Sequence, residues 1–423
     1  MTEETTAARR AQPQSMVPFF TIWSAQAFSL LGSHLVQFAL VWWLTMTTGS
    51  ATVLAFATLV ALLPQIFLSP FAGALVDRWN RRLVLMVADA GIALATVVLA
   101  VLYASGVVQV WHVYALMLIR AAGGAFHWPT MQASTTMMVP ERHLSRIAGL
   151  NQTLFGIANI AAPPLGALLL AVLPMQGILA IDVGTAIVAI APLLFIAIPQ
   201  PERKAEGQPS VLADIKEGLR LVWGWPGLMI IMGVATLLNL LAAPALTLVP
   251  IMVTEHFGGG AVQFASMESA WGIGMVLGGL ALGVWGGFKR RIVTAMVALA
   301  LQGIGLSIIA VTPPAAFLLA VAAIFFTGLM NPIINGSLHA TVQATVPPEM
   351  QGRVFTLLLS GASAMMPLGL LIAGPVADTL GVQFWFLVSG LVTIATGVAG
   401  FFIPAVMELE ERAPGRVATA TDE

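Results

Sequence analysis

"GALVDRWNRRLVL", residues 73–85, gathers Asp77, Arg78, Arg81 and Arg82 within six positions. The stretches on either side are almost wholly Ala, Leu, Val, Ile and Phe. Charge concentrated between two apolar runs reads as a chain leaving an apolar phase, turning in water and going back. The composition agrees, with 58% hydrophobic and 9% charged among 423 residues and a mean hydropathy of +0.93. A soluble domain carries about 25% charged residues, so this chain could not cover a water-facing surface. Apolar runs of about twenty residues recur, each long enough for a hydrocarbon core of about 30 Å. The alternating segments of about ten residues that build a transmembrane barrel do not occur. The fold class is therefore an all-α polytopic membrane protein. The chain has no cysteine, which excludes disulfides, thiolate metal sites and thiol nucleophiles. Its net charge of −1 selects no partner class.

Cutting at Pro, Gly and charge clusters gives twelve spans near 18–44, 52–76, 83–104, 111–138, 145–172, 177–198, 228–253, 262–286, 292–311, 315–337, 353–377 and 382–403. Gly and Pro inside them are tolerable, because neighbouring helices can satisfy the freed backbone groups. The first run is too long for the apolar core of a signal peptide, so it reads as a span with no cleavable signal. Seventeen of the eighteen Lys and Arg fall in the two tails or in alternate loops, and the opposite loops hold none. The positive-inside rule then predicts both termini in the cytoplasm. One span too many or too few would scramble that asymmetry. The eighteenth cation, Arg120, lies inside span 4.

The chain also repeats itself. "QASTTMMVPERHLSRIAGL" (132–150) aligns with "HATVQATVPPEMQGRVFTL" (339–357) at an offset of 207 residues. The Arg81–Arg82 pair recurs as Arg290–Arg291, and "PLG" at 164–166 recurs at 367–369. Two pseudo-symmetric six-helix bundles follow, running parallel about an axis along the membrane normal. The expected domains are a cytoplasmic tail 1–17, a bundle 18–198, a cytoplasmic linker 199–227, a bundle 228–404 and a cytoplasmic tail 405–423. In the linker, Val211, Ile215, Leu219 and Val222 repeat at helical spacing. It is either an amphipathic helix lying on the inner membrane surface or a plain connector.

Two six-span halves with charge clusters after spans 2 and 8 resemble the major facilitator superfamily (MFS). Its loop signature, G-x-L-x-D-R-x-G-R-[RK], is matched by Gly73, Leu75, Asp77, Arg78, Arg81 and Arg82, while Asn80 replaces the second glycine. "FTIWSAQAFSLLGS", "LIRAAGGAFHWPTMQA" and "ILAIDVGTAIVA" resemble the macrolide-efflux branch of the drug:proton antiporters. The resemblance implies a bacterial inner-membrane carrier that exports amphipathic, macrolide-like drugs by proton antiport with alternating access. It also implies a conformational latch, in which Asp77 meets the positive end of span 11 near Gly352 and Arg353 and Arg81 pairs with Glu141. The plainer alternative is that these charges only set topology.

Arg120 is the most informative charge. Placing arginine near mid-membrane costs about 2.5–3.5 kcal/mol on insertion scales, so it should face a cavity or a partner. "LMLIRAAGG" resembles a span-4 signature of proton-coupled antiporters, with Arg120 and Gly124 at its arginine and glycine. Arg120 either tunes a nearby carboxylate or is bonded structurally to backbone carbonyls. The candidate acids for proton coupling are Asp89, Asp182 and Glu268. A carboxylate withdrawn from water holds its proton more tightly and can exchange it near neutrality. Asp182 could instead be a packing or capping residue, Glu268 could attract a cationic amine, and Asp89 could pair with the nearby basic loop. Asp378 and Glu255 read as solvated. In "ANIAAPPLG" (158–166), Pro163 and Gly166 match part of the antiporter span-5 signature and suggest a kinked helix with a small-residue face.

Polar stripes mark the candidate substrate cavity. Span 1 carries Gln26, Ser29, Ser33 and Gln37 on one face, and span 10 carries Thr327, Asn331 and Asn335. His127 lies on the Arg120 face, Asn239 is an isolated amide, and Trp23 and Trp271 could stack on an amphipathic ligand. Ordinary interhelical hydrogen bonding would give similar stripes. The chain shows no nucleotide loop, metal cluster or nucleophile–base signature, so it is not read as an enzyme and needs no cofactor and no metal. Its expected partners are a small amphipathic substrate, protons and the lipid bilayer. No nucleic acid partner is expected, and the chain is expected to be a monomer. The alternative function is export of an endogenous amphiphile such as a siderophore or lysolipid.

Overall fold

A computed structural model describes residues 15–76, 79–200, 225–346 and 348–410. Twelve long helices account for most of these residues, and no strand occurs among them. They are α1 (Val17–Thr48), α2 (Ala51–Val76), α3 (Arg81–Ala104), α4 (Val110–Met138), α5 (Leu144–Val172), α6 (Met175–Phe195), α7 (Pro226–Thr247), α8 (Ala261–Trp285), α9 (Arg291–Val311), α10 (Phe317–Thr345), α11 (Pro348–Leu380) and α12 (Val382–Phe401). Eleven of the twelve contain stretches apolar and long enough to cross a membrane. The other is α4, which at 29 residues has the length but carries Arg120, His112, His127 and a run of hydroxyl residues. The protein is a multi-pass membrane protein.

The helices stop where local chemistry makes them stop. Asn80 caps α3 by accepting the Leu83 N–H at 3.3 Å. Gly286, at φ 75°, ends α8 in the left-handed region that glycine adopts without strain. Span 7, expected to reach residue 253, ends as an α-helix at Thr247, and the chain then rewinds through Val249–Ile251 into a π-turn over Met252–His256. Pro250 has no N–H to continue the ladder, and the wider turn takes up the slack.

The repeat seen in the sequence has a structural counterpart. Helix α4 ends at Met138 and α10 at Thr345, and 345 − 138 is the sequence offset of 207. Each is closed by an extended valine, Val139 or Val346, whose N–H returns to a carbonyl four residues back. Arg81 opens α3 and donates to the Ala133 carbonyl of α4 at 2.8 Å. Arg291 opens α9 and donates to the Ala340 carbonyl of α10 at 3.5 Å.

Contacts divide the chain into two compact units, residues 1–40 with 60–205 and residues 41–59 with 206–423. In the first, α3 packs on α4 and α6. In the second, α9 packs on α10 and α12, α8 on α10, and α7 on α11. The second unit departs from the sequence expectation by including the end of α1 and the start of α2. Three contacts account for this. Trp42 stacks on Phe264 at 5.9 Å. The backbone of Thr52 lies against Gly374, where a Cβ would not fit. Asp378, expected to be merely solvated, accepts from Ser50 Oγ at 2.9 Å, Ala51 N at 2.7 Å and Thr52 N at 3.1 Å. A carboxylate there satisfies two of the orphan N–H groups that begin α2.

Backbone meets backbone within the second unit. A Cβ on Gly274 or Gly278 of α8 would collide with the main chain of α10 at Phe325 or Leu329, and one on Gly328 would collide with Trp271. Gly303 of α9 and Gly390 of α12 face each other in the same way. Small residues of this kind let membrane helices approach closely enough for dispersion to hold them.

Candidate functional site

Five helices of the first unit, α1, α2, α3, α4 and α6, enclose a chamber of about 320 Å³. Glycines permit the close crossings around it. Gly32 of α1 abuts the Thr185 hydroxyl of α6, and Gly123 of α4 abuts the Ile92 side chain of α3. The chamber's ionisable lining is His34 from α1, Asp89 from α3, Arg120 and His127 from α4, and Asp182 from α6. Helix α2 contributes Gln65, which is neutral.

Two hydrogen-bonded groups share this lining. In one, Arg120 Nη1 lies 2.5 Å from Asp182 Oδ2. Asp182 also faces the Ser33 hydroxyl at 3.5 Å and the Thr96 hydroxyl at 3.3 Å. Arg120 reaches Thr96 Oγ1 and the Ser33 carbonyl, each at 3.4 Å. Both side chains are largely withdrawn from water, at 11% and 3% exposure. Removing either partner would strand a buried charge.

In the other group, Gln26 Nε2 donates to Asp89 Oδ2 at 2.9 Å. The amide's other end, Oε1, lies 3.0 Å from His127 Nε2, which itself stands 3.4 Å from Asp89 Oδ1. Since Gln26 offers an acceptor to His127, that ring nitrogen is the protonated one in this arrangement. Asp89 therefore finds its partners inside the bundle, where the sequence had also allowed a pair with the basic loop.

The chamber thus brings together Arg120, Asp182, Asp89, Gln26, Ser33, Gln37 and His127, all of them candidates from the sequence. Trp23 is elsewhere in the same unit, donating its indole N–H to Asn151 at 2.7 Å. Glu268, Asn239, Trp271, Asn331 and Asn335 belong to the second unit. There Asn239 donates to its own helix at Ala235, and Asn335 donates to Asn331. Glu268 is half-buried on α8, one turn before Trp271. The sequence reading missed His34, Thr96 and Gln65. Thr96 lies seven residues after Asp89, hence on the same face of α3, and that spacing was a usable signal.

Of the proposed latch, Gly73 lies in α2, while Asp77 and Arg78 fall outside the described residues, as does the linker's central stretch 201–224. Arg82 donates to the Leu193 and Leu194 carbonyls at the end of α6, and Arg81 to Ala133 and, through its N–H, to Gln200. Both arginines fasten α3 to neighbours in its own unit, and Glu141 is exposed in a short turn. Pro163 and Gly166 are buried in α5, which continues unbroken through Pro163 and Pro164, with Gly166 set against the Phe38 ring.

The family model described as Major Facilitator Superfamily matches residues 22–355 and 244–421. The chain belongs to this superfamily. It is a transporter and not an enzyme. It is 35% identical over 393 residues to macrolide efflux protein A of Streptococcus pyogenes, covering 93% of this chain and 97% of that one. It is 30% identical over 408 residues to the multidrug efflux pump Tap of Mycolicibacterium fortuitum, covering 93% and 97%. Among solved structures it resembles a D-xylose-proton symporter, with a TM-score of 0.68 over 93% of this chain and 99% of that one at 14% identity. At that identity the likeness speaks for the fold alone.

Proposed function

We propose that this MFS transporter exports amphipathic, macrolide-like drugs across the bacterial inner membrane by proton antiport, using alternating access with both termini in the cytoplasm. The observation that carries the reading is the ionisable chamber at mid-helix, where Arg120 and Asp182 pair beside Asp89 and His127. Charges at membrane depth are costly, and they mark ion and proton pathways. The efflux relatives support drugs as cargo. In this reading Arg120, Asp182, Asp89 and Glu268 couple proton movement to rearrangement. Gln26, Ser33, Gln37 and His127 touch the substrate from the first unit, and Asn239, Trp271, Asn331 and Asn335 from the second. The loop with Gly73, Asp77 and Arg78 acts as the latch. Its Arg81 and Arg82 are anchored to α4 and α6.

The test is erythromycin accumulation in drug-sensitive cells with and without a protonophore. Cells expressing the wild type should accumulate less drug, and the protonophore should abolish the difference. Arg120→Ala and Asp182→Asn should behave like the empty vector. Low accumulation that persists in the presence of protonophore would exclude proton antiport.

A further inference from the structure

The chamber holds two acids, and their surroundings differ in kind. Asp182 faces a guanidinium that stays charged at any physiological pH, with two hydroxyls filling its remaining positions. Protonating it would leave Arg120 buried without a counter-charge. Asp89 faces an imidazole and a neutral amide. An imidazole can carry a proton on either ring nitrogen and pass it to a carboxylate, whereas a guanidinium is a donor that keeps its protons. The charge count agrees. Arg120 and Asp182 cancel, and the Asp89–His127 pair is neutral when it carries one proton beyond neutral imidazole and carboxylate.

Geometry supplies a route. His127 and Asp89 both line the chamber, and the His127 side chain is the more exposed of the two, at 22% against 6%. His127 Nε2 stands within 3.4 Å of Asp89 Oδ1, and Gln26 holds both ends of the arrangement. Among the chamber's other ionisable groups, Arg120 and Asp182 are committed to each other, and His34 stands on α1.

Resting on the antiport reading above, we propose that the exchanged proton resides on Asp89 and enters and leaves through His127, with Gln26 as the positioning residue, and that Arg120–Asp182 serves the coupling as a charge pair that itself exchanges no proton. In the transfer the Nε2–H bond breaks and an Oδ1–H bond forms. The N–H electron pair remains on nitrogen, imidazolium becomes imidazole, carboxylate becomes carboxylic acid, and the net charge is unchanged. Before this step a neutral ring protonated at Nε2 takes a proton from chamber water at Nδ1, which makes the imidazolium; afterwards the ring keeps its Nδ1–H, and unloading runs the same steps in reverse.

The experiment uses the full chain in proteoliposomes with radiolabelled erythromycin and reads two quantities, accumulation driven by an imposed pH gradient and exchange of erythromycin without one. Asp89→Asn should lose gradient-driven accumulation and keep exchange. His127→Gln should slow the driven mode and leave exchange faster than driven uptake. Gln26→Leu should weaken driven accumulation more than exchange. Asp89→Asn with wild-type driven accumulation overturns the relay while leaving antiport standing. A wild type indifferent to the gradient overturns antiport and the relay with it. If Asp89→Asn does not fold, proton release from the purified wild type on erythromycin binding in weakly buffered detergent decides the matter, with His127→Gln as comparison. Slower release in His127→Gln supports the relay, and release at the wild-type rate overturns it.

Discussion

Arg120 and Asp182 are 62 residues apart in the chain, on α4 and α6, and their charged atoms meet at 2.5 Å with almost no water access. The other groups bonded to the pair, from Thr96 and Ser33, carry no full charge. Asp182→Asn and Arg120→Leu should each cost about 3–5 kcal/mol, because each leaves one buried charge unpaired. The double substitution Arg120→Leu with Asp182→Leu should cost far less than the sum, since no charge remains. Thermal unfolding of the four proteins in one detergent measures the cycle. Additive losses would mean that the two side chains do not interact.

Arg81 and Arg291 each open a helix, α3 and α9, but are differently placed. Arg81 is buried, and its bond to Ala133 is 2.8 Å long. Arg291 is exposed, and its bond to Ala340 is 3.5 Å long. Arg81→Leu should therefore destabilise by about 1–3 kcal/mol, and Arg291→Leu by about 1 kcal/mol or less. Equal shifts in unfolding temperature would show that burial is not what separates them.

Gly278 and Gly279 are neighbours with opposite surroundings. A Cβ on Gly278 would strike the Leu329 main chain, while Gly279 has nothing within 4 Å. Gly278→Ala should cost about 1–3 kcal/mol through forced helix separation. Gly279→Ala should be neutral or stabilising by up to about 1 kcal/mol, because alanine favours the helix. The same thermal assay reads both, and a harmless Gly278→Ala would contradict the close crossing.

Asp378 caps a helix that belongs to a distant part of the sequence. Asp378→Ala should remove two charge-assisted bonds to the Ala51 and Thr52 amides, at a cost of about 1 kcal/mol. Amide exchange at the start of α2 should speed up, while exchange in the middle of α2 stays unchanged. Unaltered protection at Ala51 and Thr52 would show that Ser50 caps the helix unaided.

The helices were legible because membrane depth and the placement of seventeen cations constrain them strongly. The repeat was legible in side chains, and the structure adds its backbone form in the matched ends of α4 and α10. Arg120, Asp182, Asp89, Gln26 and His127 were each conspicuous, since polar groups at that depth are costly. Their grouping was not legible, because a sequence says how far along a helix a residue lies but not which neighbour faces it. Thr96 escaped for a different reason. In its surroundings a threonine reads as a hydroxyl bonded to its own helix, and it does make that bond, to Ile92, while also touching Asp182. The loop arginines read as latch parts or topology markers. Bonds from side chain to main-chain carbonyl, such as Arg82 to Leu194, leave no trace in residue identity.

The glycine contacts between α8 and α10, and between α9 and α12, have a mechanical consequence. Where two main chains touch, there is no layer of side chains to shear or change rotamer, so these pairs must travel as single stiff plates. Whatever bending the transport cycle demands is pushed into seams where larger side chains intervene, and a search for the protein's joints should begin there.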